Sequence, residues 1–288
     1  MGGVTIFIPT YHRPKKLKRC LESVVNQIDT CDYGDVYVII SSNDSSDIET
    51  KNVINNFCRC RHYIDYYANA FNIGIDKNHD LLYQYCKTKY VLLLADDDIL
   101  LDGSINNIYE NCNSYNFLFA ICNQQFCRDG SLDDKRLFKY NGIYSLSKIE
   151  ALRKFIVYKP EPILPLIPYF GGILIDVEKV NSLVNSSDRK KFDGTYHQYI
   201  GSLWLALLNS NENICMFTNV SIGQGFDDDK TWFDYKDDVY ENVNRFYEIL
   251  PLPIKIKKDI YNLLKYSGSI IGRIIIPILK LKSRWWRL

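Results

Sequence analysis

Three consecutive carboxylates, Asp96, Asp97 and Asp98, stand at the end of an apolar run that begins at Val91. Adjacent carboxylates repel one another unless a cation or solvent relieves the repulsion. Hard oxygen ligands of this kind suit Mg²⁺ or Mn²⁺, which proteins commonly hold through one or two carboxylates together with substrate phosphates. We therefore predict that the cluster binds a divalent ion holding a diphosphate.

The apolar run before these carboxylates has the composition of a strand buried on both faces. Open α/β sheets bind their ligands at the carboxyl ends of such strands. Earlier in the chain, the same strand-loop-helix pattern recurs over roughly a hundred residues. The predicted strands cover residues 4–8, 36–40, 62–67 and 90–95, and the predicted helices cover residues 15–27, 48–57 and 78–86.

The second half of the chain has a less regular pattern. Residues 118–124 predict a strand, whereas residues 147–155 and 200–208 predict helices. Prolines interrupt residues 159–168, which we predict to form a loop. The whole pattern predicts an α/β fold with a Rossmann-like, mostly parallel sheet and flanking helices.

Charge is divided unevenly along the 288 residues, although the net charge is only +1. Six of the 35 basic residues lie in residues 265–288, which contain no acid, so 29 basic residues accompany 34 acids in the rest of the chain. A mildly acidic body argues against nucleic-acid binding, and a basic tail predicts contact with an anionic surface. Hydrophobic residues make up 47% of the chain, enough for an ample core.

Nine cysteines are scattered along the chain without the paired spacing of a zinc site. We interpret them as reduced thiols, which are usual in the cytosol. The first eight residues resemble a strand and lack the charged and long apolar regions of a signal peptide. We therefore expect a cytoplasmic protein that is not exported by that route.

Four motifs occur in order along the first half of the chain. They are Ile8-Pro9-Thr10-Tyr11-His12-Arg13, Asn43-Asp44-Ser45-Ser46-Asp47, Asn72-Ile73-Gly74 and Asp96-Asp97-Asp98. In this order and spacing they resemble family 2 glycosyltransferases of the GT-A fold over residues 1–105. More loosely, the segment Phe192 to Gln198 and the apolar helix after it are similar to bacterial O-antigen and capsule transferases of the abequosyltransferase-like group.

The resemblance implies a GT-A domain in which residues 1–105 bind a nucleotide diphosphate sugar and residues 106–250 bind the acceptor. Residues 251–288 would form a separate basic, amphipathic helical tail. The residues that would contact the nucleotide sugar in this half are Pro9, Thr10, Tyr11, Arg13, Ser42, Asp44, Asn72, Gly74, Asn78, Asp96 and Asp97.

By this resemblance the loop after the first strand lines the base with Pro9, Thr10 and Tyr11. Arg13 would approach the diphosphate as a bidentate donor. The alternative for Tyr11 and Arg13 is an ordinary surface loop with a solvated cation.

The second motif departs from the family pattern. Most relatives have an aspartate where this chain has Ser42, although a shift of one residue would give Asp44 the base-reading role. The identity of the base therefore stays open. Asp44 and Asp47 are alternatively caps of the following helix, and the third motif is alternatively a turn followed by a helix cap.

The family's D-x-D geometry makes Asp98 the best direct ligand for Mn²⁺ or Mg²⁺. Asp96 would contact either the metal or the ribose, and Asp97 has the least defined role of the three.

The resemblance also implies a single inverting displacement, in which a base on the acceptor side removes a proton from the attacking hydroxyl. The matching region offers Asp188, Asp193 and His197, without the Glu-Asp pair that many relatives have. We rank Asp193 first and His197 second. The alternatives are that these residues are a helix cap and a histidine satisfied within the core.

Two glycine-containing segments are further candidates. Gly171-Gly172 would let an acceptor sugar approach the backbone, or would only pack at a strand start. Residues 223–232 combine hinge glycines with Lys230 and Trp232, which suits a lid in which the lysine holds the diphosphate and the tryptophan shields the sugar from water. The three acids of this segment alternatively form a solvated turn.

The tail in residues 265–288 is too short and too charged to span a bilayer, which takes about 20 apolar residues. Its apolar, basic and tryptophan residues suit a segment that lies in the headgroup region. Alternatively the tail packs on the body or on a dimer partner.

These features predict a metal-dependent glycosyltransferase that moves a sugar to a lipid-linked or growing surface polysaccharide, as in O-antigen or capsule biosynthesis. The acceptor would be a polyprenyl-linked saccharide, and the protein would attach peripherally to the inner face of the cell membrane. The alternative is a non-catalytic nucleotide- or glycan-binding subunit with a degenerate GT-A fold, which Ser42 and the missing Glu-Asp pair support. A nucleotidyltransferase is disfavoured because the first strand is not followed by a glycine-rich phosphate loop with a lysine.

Overall fold

A computed structural model describes residues 3–30, 35–128, 131–136, 142–152, 171–225, 242, 245–252, 254 and 257. The predicted lid residues Lys230 and Trp232 and the predicted tail at 265–288 lie outside the described residues. The strands are β1 (Val4–Thr10), β2 (Val36–Ser42), β3 (Ile64–Ala68), β4 (Tyr90–Leu93), β5 (Ile99–Leu100), β6 (Phe119–Arg128), β7 (Ser131–Arg136), β8 (Ile143–Leu146), β9 (Ile173–Asp176) and β10 (Ile214–Gly225). The helices are α1 (Pro14–Ile28), α2 (Ile48–Cys58), α3 (Ile75–Asp80), α4 (Leu82–Tyr85), α5 (Ser104–Ser114), α6 (Lys148–Leu152), α7 (Val177–Leu183), α8 (Ser186–Lys190) and α9 (Gln198–Leu208).

One sheet runs through the described part of the chain in the order β3-β2-β1-β4-β9-β6-β10-β5. The first four strands of this order are parallel to one another, as are β6 and β10. Strand β9 lies between β4 and β6 and is antiparallel to both. The predicted α/β fold with a Rossmann-like parallel half and flanking helices is therefore confirmed, with one antiparallel strand inserted at its centre.

Both faces of β1, β2 and β4 are covered, which explains why these three strands are largely apolar. Alternate residues of β1 enter different cores: Phe7 packs with α9, whereas Ile6 and Ile8 pack with α1. On α1, Leu17 and Leu21 are fully buried against the second core, and each such leucine stabilises the fold by about 1.5–3 kcal/mol. Because both faces of these strands are covered, side chains that must reach a substrate are expected at the strand ends.

Most predicted elements of the first half occur within a few residues of their expected bounds, but the helix predicted at 78–86 begins earlier. It starts at Ile75 and is interrupted at Leu81, which gives α3 and α4. Gly74, with φ of 87°, precedes α3 and adopts a conformation that other residues avoid. This turn lets the helix begin directly after it, before the predicted start.

In the second half, the helix predicted at 200–208 corresponds to α9, and the strand predicted at 118–124 is the longer β6. The helix predicted at 147–155 corresponds to α6, and its last residues fall outside the described chain. No helix in the described ranges is long and apolar enough to cross a bilayer. Seven of the described cysteines are free thiols, namely Cys20, Cys58, Cys60, Cys86, Cys112, Cys122 and Cys215.

Candidate active site

The acidic cluster lies where β1 and β4 leave the sheet. These two strands are parallel, with Phe7 opposite Leu93, so the residues that follow each strand emerge at the same edge. Thr10, at the end of β1, donates a hydrogen bond of 2.7 Å from Oγ1 to Asp96 Oδ2. Strand pairing thus joins two of the predicted site residues that are far apart in sequence.

Arg13 binds the same cluster from the loop after β1. Its Nη1 donates to Asp96 Oδ1 at 3.1 Å and lies 3.4 Å from Asp97 Oδ2, while about half of the side chain (48%) stays exposed. Arg19 of α1 adds a bond of 3.2 Å from Nη2 to the Asp97 carbonyl oxygen. The guanidinium of Arg13 therefore offsets the charge of two carboxylates and still faces solvent.

Burial dominates the electrostatics of Asp96 and raises the pKa of its carboxyl to about 6. The Arg13 charge opposes this shift, Asp97 adds to it, and the bond from Thr10 also opposes it. A divalent cation beside the cluster would favour the charged carboxylate further. The site is thus a buried concentration of negative charge that a cation would stabilise.

Asp98 is also buried, at 5% exposure, and lies against the backbone of Gly171. A Cβ atom at Gly171 would come within 2.6 Å of Asp98 Oδ2 and 3.2 Å of the Ala95 nitrogen. Gln124 Nε2 donates to the Gly171 carbonyl at 2.8 Å and holds this backbone in place. Only a glycine at this position leaves the Asp98 carboxylate where it is.

The carboxylates fit a divalent ion that takes most of its ligands from a substrate. In the described part of the chain, no three His, Cys, Asp or Glu side chains converge on one point as a complete protein cage would require. Magnesium-type sites that use one or two carboxylates, phosphates and water do not need such a cage. Both oxygens of Asp96 accept bonds, from Thr10 and from Arg13, and Asp98 stays the predicted direct ligand of the ion.

Asparagines from the second and third motifs form hydrogen bonds with one another. Asn43 donates to Asn72 Oδ1 at 2.8 Å, and Asn72 Oδ1 also accepts from the Gly74 nitrogen at 2.8 Å. Asn69 donates to Asn43 Oδ1 at 3.1 Å and to Asn78 Oδ1 at 3.0 Å. This geometry matches the alternative of a structured turn, and the predicted contacts of Asn72, Gly74 and Asn78 with a donor stay predictions.

Asp44 and Asp47 have different partners. Asp44 accepts from the backbone and hydroxyl of Ser46 at 2.8 and 2.7 Å and is bonded to the His12 ring at 2.9 Å. The bonds from Ser46, followed by His12, lower the pKa of Asp44 to about 2. Asp47 accepts from the Thr50 nitrogen at 3.1 Å and caps α2, as the alternative interpretation expected.

The residues predicted to contact the nucleotide base differ in their exposure to solvent. Pro9 and Ser42 are buried in their strands, and Ser42 Oγ donates to the Asp44 carbonyl at 3.2 Å. Tyr11 is 45% exposed, and its ring meets the edge of His12 at 4.5 Å between centroids. Among these residues, Tyr11 is the one whose ring is open to stacking.

The residues predicted to act as the catalytic base lie in the loop between α8 and α9. Asp193 is half-buried there, and Gly194 and Tyr196 have positive φ of 77° and 63°. A tyrosine rarely adopts this conformation, so the surrounding contacts must enforce it. His197 closes the loop just before α9.

Asp193 and His197 differ as candidate bases. His197 is only 3% exposed, its ring packs against Phe246 at 5.9 Å, and burial lowers the pKa of the imidazole to about 4. An acceptor hydroxyl must come within hydrogen-bond reach of a base, which a buried ring does not allow. Asp193 is the more accessible of the two side chains, and its role as the catalytic base stays a prediction.

Asp76 of α3 was not singled out by sequence reasoning, yet it holds this loop. Its Oδ2 accepts from the Gly194 and Tyr196 nitrogens, and its Oδ1 accepts from the Gln198 nitrogen, each at 2.9 Å. The Tyr199 phenol behind the loop is buried. Burial is the main cause that raises its pKa, and the charges of Asp76 and Asp98 raise it further. The first turn of α9 thus lies against α3.

Residues 5–176 match the family model described as glycosyl transferase family 2. Two curated relatives are the GalNAc(5)-diNAcBac-PP-undecaprenol beta-1,3-glucosyltransferase of Campylobacter jejuni and the poly(ribitol-phosphate) beta-N-acetylglucosaminyltransferase TarP of Staphylococcus aureus. The first is 26% identical over 209 residues, 72% of this chain and 60% of the relative. The second is 25% identical over 171 residues, 55% of this chain and 51% of the relative.

Solved structures share the fold at low sequence identity. S. aureus TarS 1-349 in complex with UDP-GlcNAc superposes with a TM-score of 0.65 at 13% identity, covering 98% of this chain and 79% of that one. The mannosyltransferase PcManGT of Pyrobaculum calidifontis, in complex with GDP-Man and Mn²⁺, gives 0.59 at 10% identity, covering 100% and 77%. The family match runs from β1 through the acidic cluster to the end of β9, more than half of the chain, and this chain therefore belongs to glycosyl transferase family 2.

Proposed function

We propose that this chain is a glycosyltransferase that moves a sugar from a nucleotide diphosphate donor to a lipid-linked or growing polysaccharide. The observation that carries the proposal is the buried carboxylate cluster at the ends of β1 and β4, with Thr10 and Arg13 bonded to Asp96 and with Asp98 beside Gly171. The names of the curated relatives, which describe undecaprenol-linked and poly(ribitol-phosphate) substrates, support this acceptor class. The matches span about three-fifths and half of the lengths of those relatives.

On the donor side, Asp98 would hold Mn²⁺ or Mg²⁺. Such an ion would neutralise negative charge on the diphosphate leaving group. Arg13, bonded to Asp96 and about half exposed, would approach the phosphates as a donor. Asp96 is oriented by Thr10 and has lone pairs left for a ribose hydroxyl. Tyr11 stacks on the base.

On the acceptor side, Asp193 accepts the proton of the attacking hydroxyl. The hydroxyl oxygen then forms the new glycosidic bond to the anomeric carbon while the bond to the diphosphate breaks. Attack opposite the leaving group in one step inverts the anomeric configuration. Peripheral attachment through residues 265–288 would bring a polyprenyl-linked acceptor on the cytoplasmic face within reach.

The test measures release of the nucleoside diphosphate from sugar nucleotides that carry uracil, guanine, cytosine or thymine. Each donor is assayed with Mn²⁺, once with and once without an undecaprenyl-diphosphate-linked saccharide as the acceptor. We expect one donor to release its nucleoside diphosphate, much faster when the acceptor is present. Binding of a nucleotide without release from any donor would favour the second candidate, a non-catalytic subunit. The observation that favours this candidate is Ser42, which is buried and stands where the family resemblance leads us to expect an aspartate.

A further inference from the structure

Helix α3 contacts both sides of the site. On the donor side, Asn78 Nδ2 donates to the Ser41 carbonyl at 3.2 Å, and the Ser41 hydroxyl donates to Asn78 Oδ1 at 2.7 Å, at the carboxyl end of β2. On the other side, the His79 ring meets the edge of the Tyr199 ring at 5.1 Å. A short helix therefore links the donor-side strands to the start of α9.

Asp76 makes the strongest of these links. It is 5% exposed and accepts three backbone N–H groups, from Gly194, Tyr196 and Gln198. Bonds from N–H groups to a buried carboxylate are charge-assisted, and their loss would leave buried donors unpaired. Two of the three donors belong to the residues with positive φ, so the same carboxylate stabilises the unusual backbone of Tyr196.

A second acid of α3 holds the segment before the loop. Asp80 Oδ1 lies 3.1 Å from Arg189 Nε, and both side chains are largely buried. Asp193 follows directly, with its nitrogen bonded to the Lys190 carbonyl at 3.1 Å. Burial raises the pKa of both Asp76 and Asp80, and the charge of Asp193 raises it further.

We propose that Asp76 is a positioning residue for the transfer reaction: its carboxylate fixes the backbone from Gly194 to Gln198 and so aims Asp193 at the acceptor. The inference rests on the proposed function, in which Asp193 is the base. In this proposal, α3 connects the acceptor-side loop with the donor-side strands. The loop would otherwise relax to an ordinary backbone conformation and displace Asp193.

The first test needs no activity. Hydrogen–deuterium exchange, followed by mass spectrometry, is compared for the wild-type protein, Asp76→Asn and the control Asp176→Asn. Asp176 is a matched control because it is fully buried and caps α7 through the Lys179 nitrogen at the opposite edge of the sheet. In Asp76→Asn, peptides covering residues 193–199 should exchange at least about tenfold faster. Unchanged exchange there would overturn the proposal.

The second test measures turnover with the donor identified for the wild-type protein. Asp76→Asn should lower kcat about 100-fold, the effect expected of a catalytic group displaced by about 1 Å, with the donor KM changed less than about twofold. The double variant with Asp193→Asn should be no slower than Asp193→Asn alone. A rise in donor KM at constant kcat, or additive losses, would overturn the proposal.

If Asp76→Asn does not fold, Gly194→Ala disturbs the same loop from its other side. Its φ of 77° strains any residue with a side chain, and the new Cβ would lie 3.3 Å from Arg245 Nη1. The same faster exchange and lower kcat are expected, and normal kcat would show that the loop conformation does not position the base. If the wild-type protein turns over no donor, the proposed function fails, while the exchange experiment still decides whether Asp76 holds the loop.

Discussion

The proposed donor side and the proposed acceptor side of this site are built in different ways. On the donor side, Thr10 and Asp96 follow neighbouring parallel strands, so the sheet alone brings them within 2.7 Å. On the acceptor side, Asp193 lies in an irregular loop whose backbone bonds to Asp76, 118 to 122 residues earlier in sequence. One side is positioned by regular secondary structure, and the other is held by side chains of α3, chiefly the buried Asp76.

This comparison predicts which substitutions matter most on the acceptor side. Asp193→Asn should lower turnover by about 10²–10⁴-fold, because that is the usual contribution of a general base. His197→Gln should leave turnover per folded molecule within about threefold, since the ring is buried away from any acceptor. Steady-state kinetics well below the melting temperature measure both effects. A larger loss in His197→Gln would reverse the assignment.

On the donor side, Gly171→Ala should weaken Mn²⁺-dependent nucleotide binding about tenfold. The new Cβ would lie 2.6 Å from Asp98 Oδ2, so the carboxylate must move away from its place, and outer contacts of a metal ligand typically contribute 10–100-fold. Calorimetric titration of a nucleoside diphosphate with Mn²⁺ measures the change. The control Gly103→Ala has free space around the new Cβ and a strained φ of 75°, so it should lose stability without losing affinity. Equal affinities in both variants would contradict the role of Gly171.

The acceptor side also carries two buried histidines whose pKa values are lowered by burial, His79 to about 3 and His197 to about 4. Below about pH 6.5 the unfolded chain protonates both rings while the folded protein does not. The free energy of unfolding therefore decreases as the pH is lowered from about 6.5 toward 4. The decrease is up to about 1.4 kcal/mol per pH unit for each histidine. Denaturant unfolding at several pH values should show a shallower fall for His197→Gln. Parallel curves for the two proteins would show that this ring titrates normally in the fold.

The smallest effect on the site is expected from removing residues 265–288. Because these residues hold six basic groups and no acid, their deletion should release the protein from vesicles containing anionic lipid. The melting temperature and the nucleotide affinity of the remaining chain should not change. Vesicle co-sedimentation measures the first effect, and undiminished binding by the shortened protein would mean that the tail has a structural role.

The donor side was largely predictable from the sequence because its signals are local. Apolar strands that stop at polar residues indicate which side chains meet at the edge of a parallel sheet, and Asp96 and Thr10 do meet there. The helix cap by Asp47 is equally local. The alternative that Gly171-Gly172 precedes a strand also agrees with the start of β9 at Ile173.

The acceptor side was less predictable because its contacts are long-range. In the sequence, Asp76 lies before the helix predicted at 78–86, and no short-range pattern connects it to Gly194 or Tyr196. The same holds for the antiparallel direction of β9, which depends on the path of the chain between distant strands. The early start of α3 followed from the turn at Gly74, whose conformation a helical pattern does not encode.

The most direct test of the central claim, that the strand-end carboxylates bind a divalent ion together with a diphosphate, is a thermal-shift measurement. The wild-type protein and Asp98→Asn are melted with UDP, GDP, CDP and dTDP, each with and without Mn²⁺. A ligand that binds only the folded state raises the melting temperature. We predict a rise for the wild-type protein with one nucleotide and only when Mn²⁺ is present, and no such rise for Asp98→Asn. An equal rise in both proteins would contradict the metal assignment, and no rise with any nucleotide would contradict the donor site.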